Sequence, residues 1–310
     1  MIITVTLNPA IDKTAIIQER LRVGGLNRLA HTLQDAGGKG INVSKTIHEL
    51  GGESIVLGFL GRYGSEQILE CLEKKEIQQD FIQVDGEVRT NLKIMDLNRE
   101  LTEFNEAGPI IEPEQVEELL QKLESYANPE TIFVFAGNVP VGVDVTIYKQ
   151  MILTVKAKGA KAFLDADGEL FKNGIQECPQ LIKPNEKETA EFFGLGDEPT
   201  EEQLITSGKR FVNMGIEQVI ISMGKKGALF FCGEKAFKCE AMGVPVDSAV
   251  GAGDAMVAAM VYAMEQELSF EDSVRLAMAA SAGAVMTAGT KPPSIEVVTQ
   301  LRQQVKLLEI

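Results

Sequence analysis

The sequence predicts an α/β fold in which helices cover both faces of a mainly parallel central sheet, with a small second sheet inserted into it. Three observations predict it. Short β-rich runs alternate with longer helical patterns along the chain, the order of elements that a parallel sheet requires. Two segments, 13–33 and 89–106, break this alternation, because their polar and apolar residues interleave without a helical period, as in Thr90-Asn91-Leu92-Lys93-Ile94. Finally, 310 residues with 45% hydrophobic and 24% charged side chains have the composition of a folded chain rather than a disordered one.

In chain order, 2–7 (Ile-Ile-Thr-Val-Thr-Leu) reads as the first strand, and 54–60, 131–136, 160–164, 181–183 and 218–222 are the apolar runs that join it. Helical patterns at 41–50, 66–75, 113–126, 143–158 and 200–214 fall between them. Near the end, the apolar stretches 255–264 and 277–289 read as buried helices, each shorter than the roughly 20 residues of a bilayer span. Segments 13–33 and 89–106 form the inserted sheet, placed to cover an active site with one face and to meet a partner chain with the other. No internal repeat or low-complexity linker divides the chain, so the expectation is one domain over 1–310 carrying an inserted lid. Ligands of such sheets collect outside the carboxyl ends of the strands, which makes the Gly-, Asn- and Asp-rich turns after strands the segments to search.

With 30 Lys+Arg against 45 Asp+Glu, the formal net charge is −15. That sign argues against nucleic-acid and anionic-membrane partners. A small anionic ligand stays open, since a few local cations outweigh a distant net charge. Cys71, Cys178, Cys232 and Cys239 show no CxxC spacing and the chain has two histidines, His31 and His48, so a Cys/His zinc site is not supported. Reduced, mostly buried thiols and a chain that opens on a strand-like run rather than a signal peptide give the expectation of a cytoplasmic protein. With so few histidines, a general base is expected to be a carboxylate.

Two glycine-rich clusters carry the chemistry. The first, Ala36-Gly37-Gly38-Lys39-Gly40-Ile41-Asn42-Val43-Ser44, runs into a helical pattern. Its glycines let the backbone approach a ligand, the helix start offers free N–H groups, Lys39 adds a charge, and Asn42 both donates and accepts. The second, Asp247-Ser248-Ala249-Val250-Gly251-Ala252-Gly253-Asp254, precedes the apolar helix at 255–264. Gly251, Ala252 and Gly253 present amides to an anion, and Asp254 stands in the first turn. An acid there also suits the helix dipole without any chemistry. An anion-binding loop with a carboxylate beside it is nonetheless what phosphoryl transfer to a hydroxyl needs: the amides hold charge on the phosphoryl while the carboxylate takes the proton. Neither cluster is a Walker-type phosphate loop, and Gly251-x-Gly253 reaches Met256 where a dinucleotide fingerprint needs its third glycine. A nucleotide-dependent oxidoreductase therefore ranks below a kinase, and a non-catalytic sugar or nucleotide sensor is disfavoured by the intact Asp254 loop.

These residues resemble a known family. The chain is similar throughout to PfkB-type carbohydrate kinases of the ribokinase superfamily, whose two signatures match Gly37-Gly38-Lys39-Gly40-Ile41-Asn42-Val43 and Asp247 to Asp254. The opening Thr4-Val5-Thr6-Leu7-Asn8-Pro9-Ala10-Ile11-Asp12 is similar to the branch that acts on ketohexose monophosphates. The resemblance implies a ribokinase-like three-layer α/β/α fold, ATP as phosphoryl donor and Mg²⁺. It implies Asp254 as catalytic base with Gly251, Ala252 and Gly253 as anion hole. Asp12, Gly38, Lys39, Asn42, Arg89 and Asn105 would bind the sugar phosphate, with Lys39 and Arg89, joined by Arg28, on its phosphate. On the nucleotide side it implies Lys183, Asn185, Ser222, Gly224 and Gly227. Glu188, three residues after Asn185, would act on Mg²⁺ through water, although the same spacing is a helix capping box. Asp165 and Asp167 read as a turn before Gly168 or as part of the nucleotide side, the turn being preferred. Gly137-Asn138-Val139-Pro140 departs from the commoner Gly-Ser-Leu-Pro; its position after a strand fits the substrate edge, and it is given no role. Thr102-Glu103-Phe104-Asn105 favours fructose 1-phosphate over tagatose 6-phosphate as substrate. The lid sheet is also the expected surface for a homodimer.

Overall fold

The computed structural model describes residues 1–98 and 100–310. In chain order the strands are β1 (Ile2–Thr6), β2 (Ala10–Ile17), β3 (Leu29–Gly37), β4 (Ser54–Tyr63), β5 (Gln78–Gln79), β6 (Ile82–Glu87), β7 (Arg89–Met95), β8 (Leu101–Asn105), β9 (Ile132–Ala136), β10 (Lys161–Asp165), β11 (Leu181–Ile182), β12 (Gln218–Ser222), β13 (Ala228–Cys232), β14 (Lys235–Cys239) and β15 (Leu308–Glu309). The helices are α1 (Lys39–Glu49), α2 (Glu66–Lys74), α3 (Pro113–Tyr126), α4 (Ile147–Lys156), α5 (Gly168–Gly174), α6 (Glu186–Phe193), α7 (Glu201–Asn213), α8 (Ala252–Glu265), α9 (Phe270–Ala284) and α10 (Ile295–Arg302).

The large sheet runs β15-β14-β13-β12-β11-β10-β9-β1-β4-β5, with β6 also paired to β4. From β5 to β12 every pairing is parallel, and β13, β14 and β15 extend the sheet antiparallel. Strand periodicity divides the side chains between two cores. Ile3, Val5, Phe133 and Phe135 face Tyr148, Met151 and Ile152 of α4 on one side. Ile2, Ile132 and Val134 face Val43 of α1 and the alanine-rich α8 and α9 on the other. Because both faces are covered, the central strands are mostly apolar, with the threonines of β1 buried among them, which is why apolar runs were their sequence signal.

The antiparallel extension is not among the strands expected from sequence. Ala228–Cys232 and Lys235–Cys239 are a hairpin joined at Gly233-Glu234, and the chain's last residues add to it as β15. The helix expected from 143 begins four residues later at Ile147, and that expected over 277–289 runs instead over Phe270–Ala284.

The second sheet, β3-β2-β7-β8, is built from the two segments that broke the helical alternation. It reaches further back toward the main sheet than 13–33 suggested, since β2 starts at Ala10 and β3 ends at Gly37. Strands β2 and β3 are antiparallel, whereas β2 and β7 are parallel and place Asp12 opposite Asn91.

Phe135 lies at 0% exposure, its ring stacked 5.9 Å from that of Phe133 and 6.2 Å from that of Tyr148. Truncation there leaves a cavity that rigid strands cannot close, so Phe135→Ala is expected to cost about 3–5 kcal/mol. Urea denaturation should show the loss as a lower midpoint with an unchanged slope.

Candidate active site

The carboxyl ends of β1, β9 and β10 open into a cavity of about 450 Å³, and the small sheet forms its opposite wall. Thr6, Gly38, Lys39 and Asp167 line it from the main body, and Arg89, Asn91 and Asn105 from the small sheet.

At its floor is a buried charge cluster. Asp165, the last residue of β10, is 3% exposed, and its Oδ1 lies 3.3 Å from Lys39 Nζ and 3.2 Å from Lys183 Nζ. Burial alone would raise the Asp165 pKa, but the two ammonium groups outweigh it and hold the carboxyl below its ordinary range. Burial likewise opposes the charge on Lys39, while Asp165, Asp254 and Glu188 together raise its pKa above the ordinary lysine value. Asp165 thus does not belong to the turn read from sequence. Asp167 does, as the residue before α5, and it also lines the cavity.

The second glycine cluster closes on this floor. Gly251 caps α8 with φ +85°, a left-handed conformation open to glycine at no steric cost. The first intrahelical bond runs from the Ala255 N–H to the Gly251 carbonyl, which leaves the amides of Ala252, Gly253 and Asp254 at the helix start. A Cβ on Gly253 would stand 3.3 Å from Lys183 Nζ, so that ammonium lies against the amide loop. Asp254 is buried, and its Oδ2 accepts a 2.8 Å hydrogen bond from Asn42 Nδ2. Burial raises its pKa, an effect that Lys39 and the Asn42 bond only partly offset.

Arg89 opens β7 with its Nε donating to the Asn8 carbonyl at 3.1 Å and its Nη1 to that of Glu106 at 3.4 Å. Asn105 ends β8 opposite Asn91. Asp12 stands one step back from the cavity, between Lys93 and Asn91, and does not line it. Arg28 lies apart, exposed in the connection between β2 and β3.

The residues expected on the nucleotide side gather at the ends of β11 and β12. The Ser222 N–H donates to the Pro184 carbonyl, and Asn185 bridges to Ser222. Gly224 opens the short helical turn before β13, and Gly227 ends it. Asn185 and Glu188 form a reciprocal capping box on α6, with Asn185 Oδ1 accepting from the Glu188 N–H and Glu188 Oε2 from the Asn185 N–H, both at 2.8 Å. The cap geometry is therefore real, and it leaves Glu188 Oε1 uncommitted. Burial raises the Glu188 pKa. Among the described residues, no three carboxylate, histidine or cysteine side chains converge on a point that would hold a metal ion by themselves.

Sequence reasoning overlooked Asp165 as a partner of both lysines, gave the Gly137-Asn138 turn no role, and assigned nothing to Asn91 or Tyr148. Tyr148 donates its buried hydroxyl to the Gly137 carbonyl at 2.9 Å and so fixes the Gly137-Asn138 turn at the cavity wall. The available signal was position: Asp165 and Gly137 both follow strands, at the edge where ligands collect.

The family model described as pfkB family carbohydrate kinase matches residues 5–297. The 1-phosphofructokinase of Borreliella burgdorferi is 36% identical over 281 residues, 90% of each chain. That of Bacillus subtilis is 33% identical over 310 residues and the full length of both. Among solved structures, phosphofructokinase-2 from Escherichia coli in complex with substrates and products superposes with a TM-score of 0.92 at 26% identity, over 98% of both chains.

Removing the shared carboxylate strands the buried Lys183 ammonium and frees the partly exposed Lys39 beside it. Asp165→Asn is expected to lower stability by about 3–5 kcal/mol, the range for breaking a buried ion pair from one side. Equilibrium denaturation at neutral pH measures it, and a loss below ~1 kcal/mol would mean that the lysines find other partners.

Proposed function

The chain belongs to the pfkB family of carbohydrate kinases, and from that premise we propose that it transfers a phosphoryl group from ATP to fructose 1-phosphate, giving fructose 1,6-bisphosphate and ADP. The observation that carries this reading is the meeting of Asp254, the amides of Ala252 and Gly253, and the Lys39–Asp165–Lys183 cluster beside a polar cavity. The chain acts as a single kinase domain, and its small sheet serves as the lid.

Arg89 grips the phosphate already on the sugar, with its guanidinium anchored to the Asn8 and Glu106 carbonyls. This directs the far hydroxyl to Asp254. Asn42 occupies Oδ2 of that carboxylate, so Oδ1 takes the proton as the hydroxyl oxygen attacks the γ-phosphorus and the bond to the ADP oxygen breaks. The amides at the start of α8 and the ammonium groups of Lys39 and Lys183 stabilise the charge on the transferred phosphoryl. Lys39 works here rather than on the distant phosphate, because Asp165 holds it at the floor. The strand-end segment with Asn185, Ser222, Gly224 and Gly227 receives the nucleotide. Mg²⁺ would arrive on the ATP phosphates and neutralise their charge, with Glu188 Oε1 free to hold one of its waters; a site with so few protein carboxylates suits a phosphate-borne ion. The small sheet leaves Leu29, Leu101 and Phe104 exposed on its strands, apolar side chains that a homodimer contact would cover. Among the described residues no helix is long and apolar enough to cross a membrane, and the four cysteines are free, which fits a cytoplasmic enzyme.

Parallel kcat/KM values for fructose 1-phosphate, fructose 6-phosphate and tagatose 6-phosphate test the substrate, with fructose 1-phosphate expected to lead. A higher value for tagatose 6-phosphate would reverse the assignment. Asp254→Asn should lower kcat at least ~10²-fold at unchanged ATP affinity.

The base works when ionised, and burial lifts its pKa, so activity should rise with pH through a value above the ordinary carboxylate range of about 4. Asn42→Ala removes a donor that favours the ionised form, and the acid limb of kcat/KM should move further up. The substrate phosphate titrates equally in both profiles, so their displacement reports the carboxylate alone. Superimposed limbs would show that Asn42 does not tune the base.

A further inference from the structure

We propose that Lys45 is a positioning residue: it ties the end of β3 to the helix that carries Asn42, and so fixes where the small sheet holds the acceptor relative to the base. The proposal rests on the sugar-phosphate kinase reading and adds the contact that sets acceptor and Asp254 in register.

The small sheet passes into α1 through Gly37, the last residue of β3, and Gly38, the cap of the helix. Gly38 has φ +115°, and two consecutive glycines leave the backbone a joint about which a sheet can swing. Strand β3 lies at the edge of its sheet and is bonded there to β2 alone. Backbone pairing therefore does not fix the joint.

Lys45 bridges it. Its Nζ donates to the carbonyl of Ala36, the residue before the two glycines, at 2.8 Å. The side chain thus closes a ring from 36 to 45 across the joint. Lys45 is 3% exposed, and an ammonium so placed is costly unless it is bonded. Burial lowers its pKa, an effect that Cys71, Asp35, Asp12 and Asp254 only partly offset. An apolar chain of the same length would pack there without that cost, and what it would lack is the bond to Ala36.

Both ends of the tie bear on the reaction. Asn42, whose Nδ2 donates to Asp254, stands three residues before Lys45 on the same side of α1. Their separation along the axis is about 4.5 Å, less than one turn of the helix. At the other end, Ala36 pairs with Ile11 of β2, and the neighbouring Ala10 pairs with Arg89 of β7. One helix thereby holds the base through Asn42 and, through Lys45 and two strands, the sheet that carries the phosphate anchor.

Lys45→Met keeps the stem and removes the donor. With whichever ketohexose phosphate the unaltered enzyme uses best, kcat should fall at least ~10-fold while the KM for ATP stays, because a small misplacement of the acceptor is costly. A loosened sheet also admits water to the γ-phosphate, so the variant should form more ADP than sugar bisphosphate, where the unaltered enzyme forms them one to one. A merely less stable variant has fewer active molecules and an unchanged ratio. An unchanged ratio in folded Lys45→Met therefore overturns the proposal, whatever its melting temperature. If that variant shows no cooperative melting, hydrogen exchange in the unaltered enzyme decides. The amides of 35–38 should exchange equally slowly with and without the sugar phosphate, and an acceleration there on its withdrawal overturns the tie. Failure of the unaltered enzyme to phosphorylate any ketohexose phosphate overturns the functional reading, and this proposal with it.

Discussion

The carboxylate of Asp165 is the interaction on which the site depends. Two ammonium groups, one from the start of α1 and one from the end of β11, converge on a single oxygen at the end of β10. Without it they would repel each other in a setting where burial already penalises each charge. With it, Lys39 and Lys183 are held at the floor, and Lys183 reaches the amide loop at Gly253. The bond from Asn42 to Asp254 closes the ring from the other side. The two glycine clusters, more than two hundred residues apart in sequence, become one site through these few contacts.

That arrangement explains what was legible in the sequence and what was not. The glycine clusters and Asp254 were readable because glycine before a helix announces a local backbone geometry. The parallel sheet was readable because strands buried on both faces are mostly apolar. Asp165 was misjudged because an Asp-x-Asp-Gly stretch is a good turn signal, whereas its partner Lys39 lies 126 residues away and no local pattern records the pair. The hairpin of β13 and β14 was missed for a different reason: antiparallel strands extending a parallel sheet interrupt the alternation that served as the guide. Asn185 and Glu188 fit both of their readings, since the capping box forms and still leaves one carboxylate oxygen free.

The resemblance implied that Asp12 binds the sugar, and the register of β2 against β7 puts Lys93 and Asn91 around it. Burying a carboxylate beside a buried lysine is favourable only when the remaining lone pairs are also satisfied, and the Asn91 amide satisfies one of them.

A division of labour follows from the topology. The groups proposed to act on the transferred phosphoryl, namely Asp254, the α8 amides, Lys39 and Lys183, all belong to the main sheet and its helices, with Asp254 and Lys183 buried there. Groups proposed to face the acceptor sugar come largely from the small sheet, whose strands are half exposed and meet the main body at β2 and β3. The net charge of −15 enters neither, because both substrates are anions and meet a few cations and amides sheltered from the surface field. Substitutions on the small sheet are thus free to alter which sugar is accepted without touching the groups that move the phosphoryl. The reverse does not hold, since the floor that Asp165 organises serves every substrate alike.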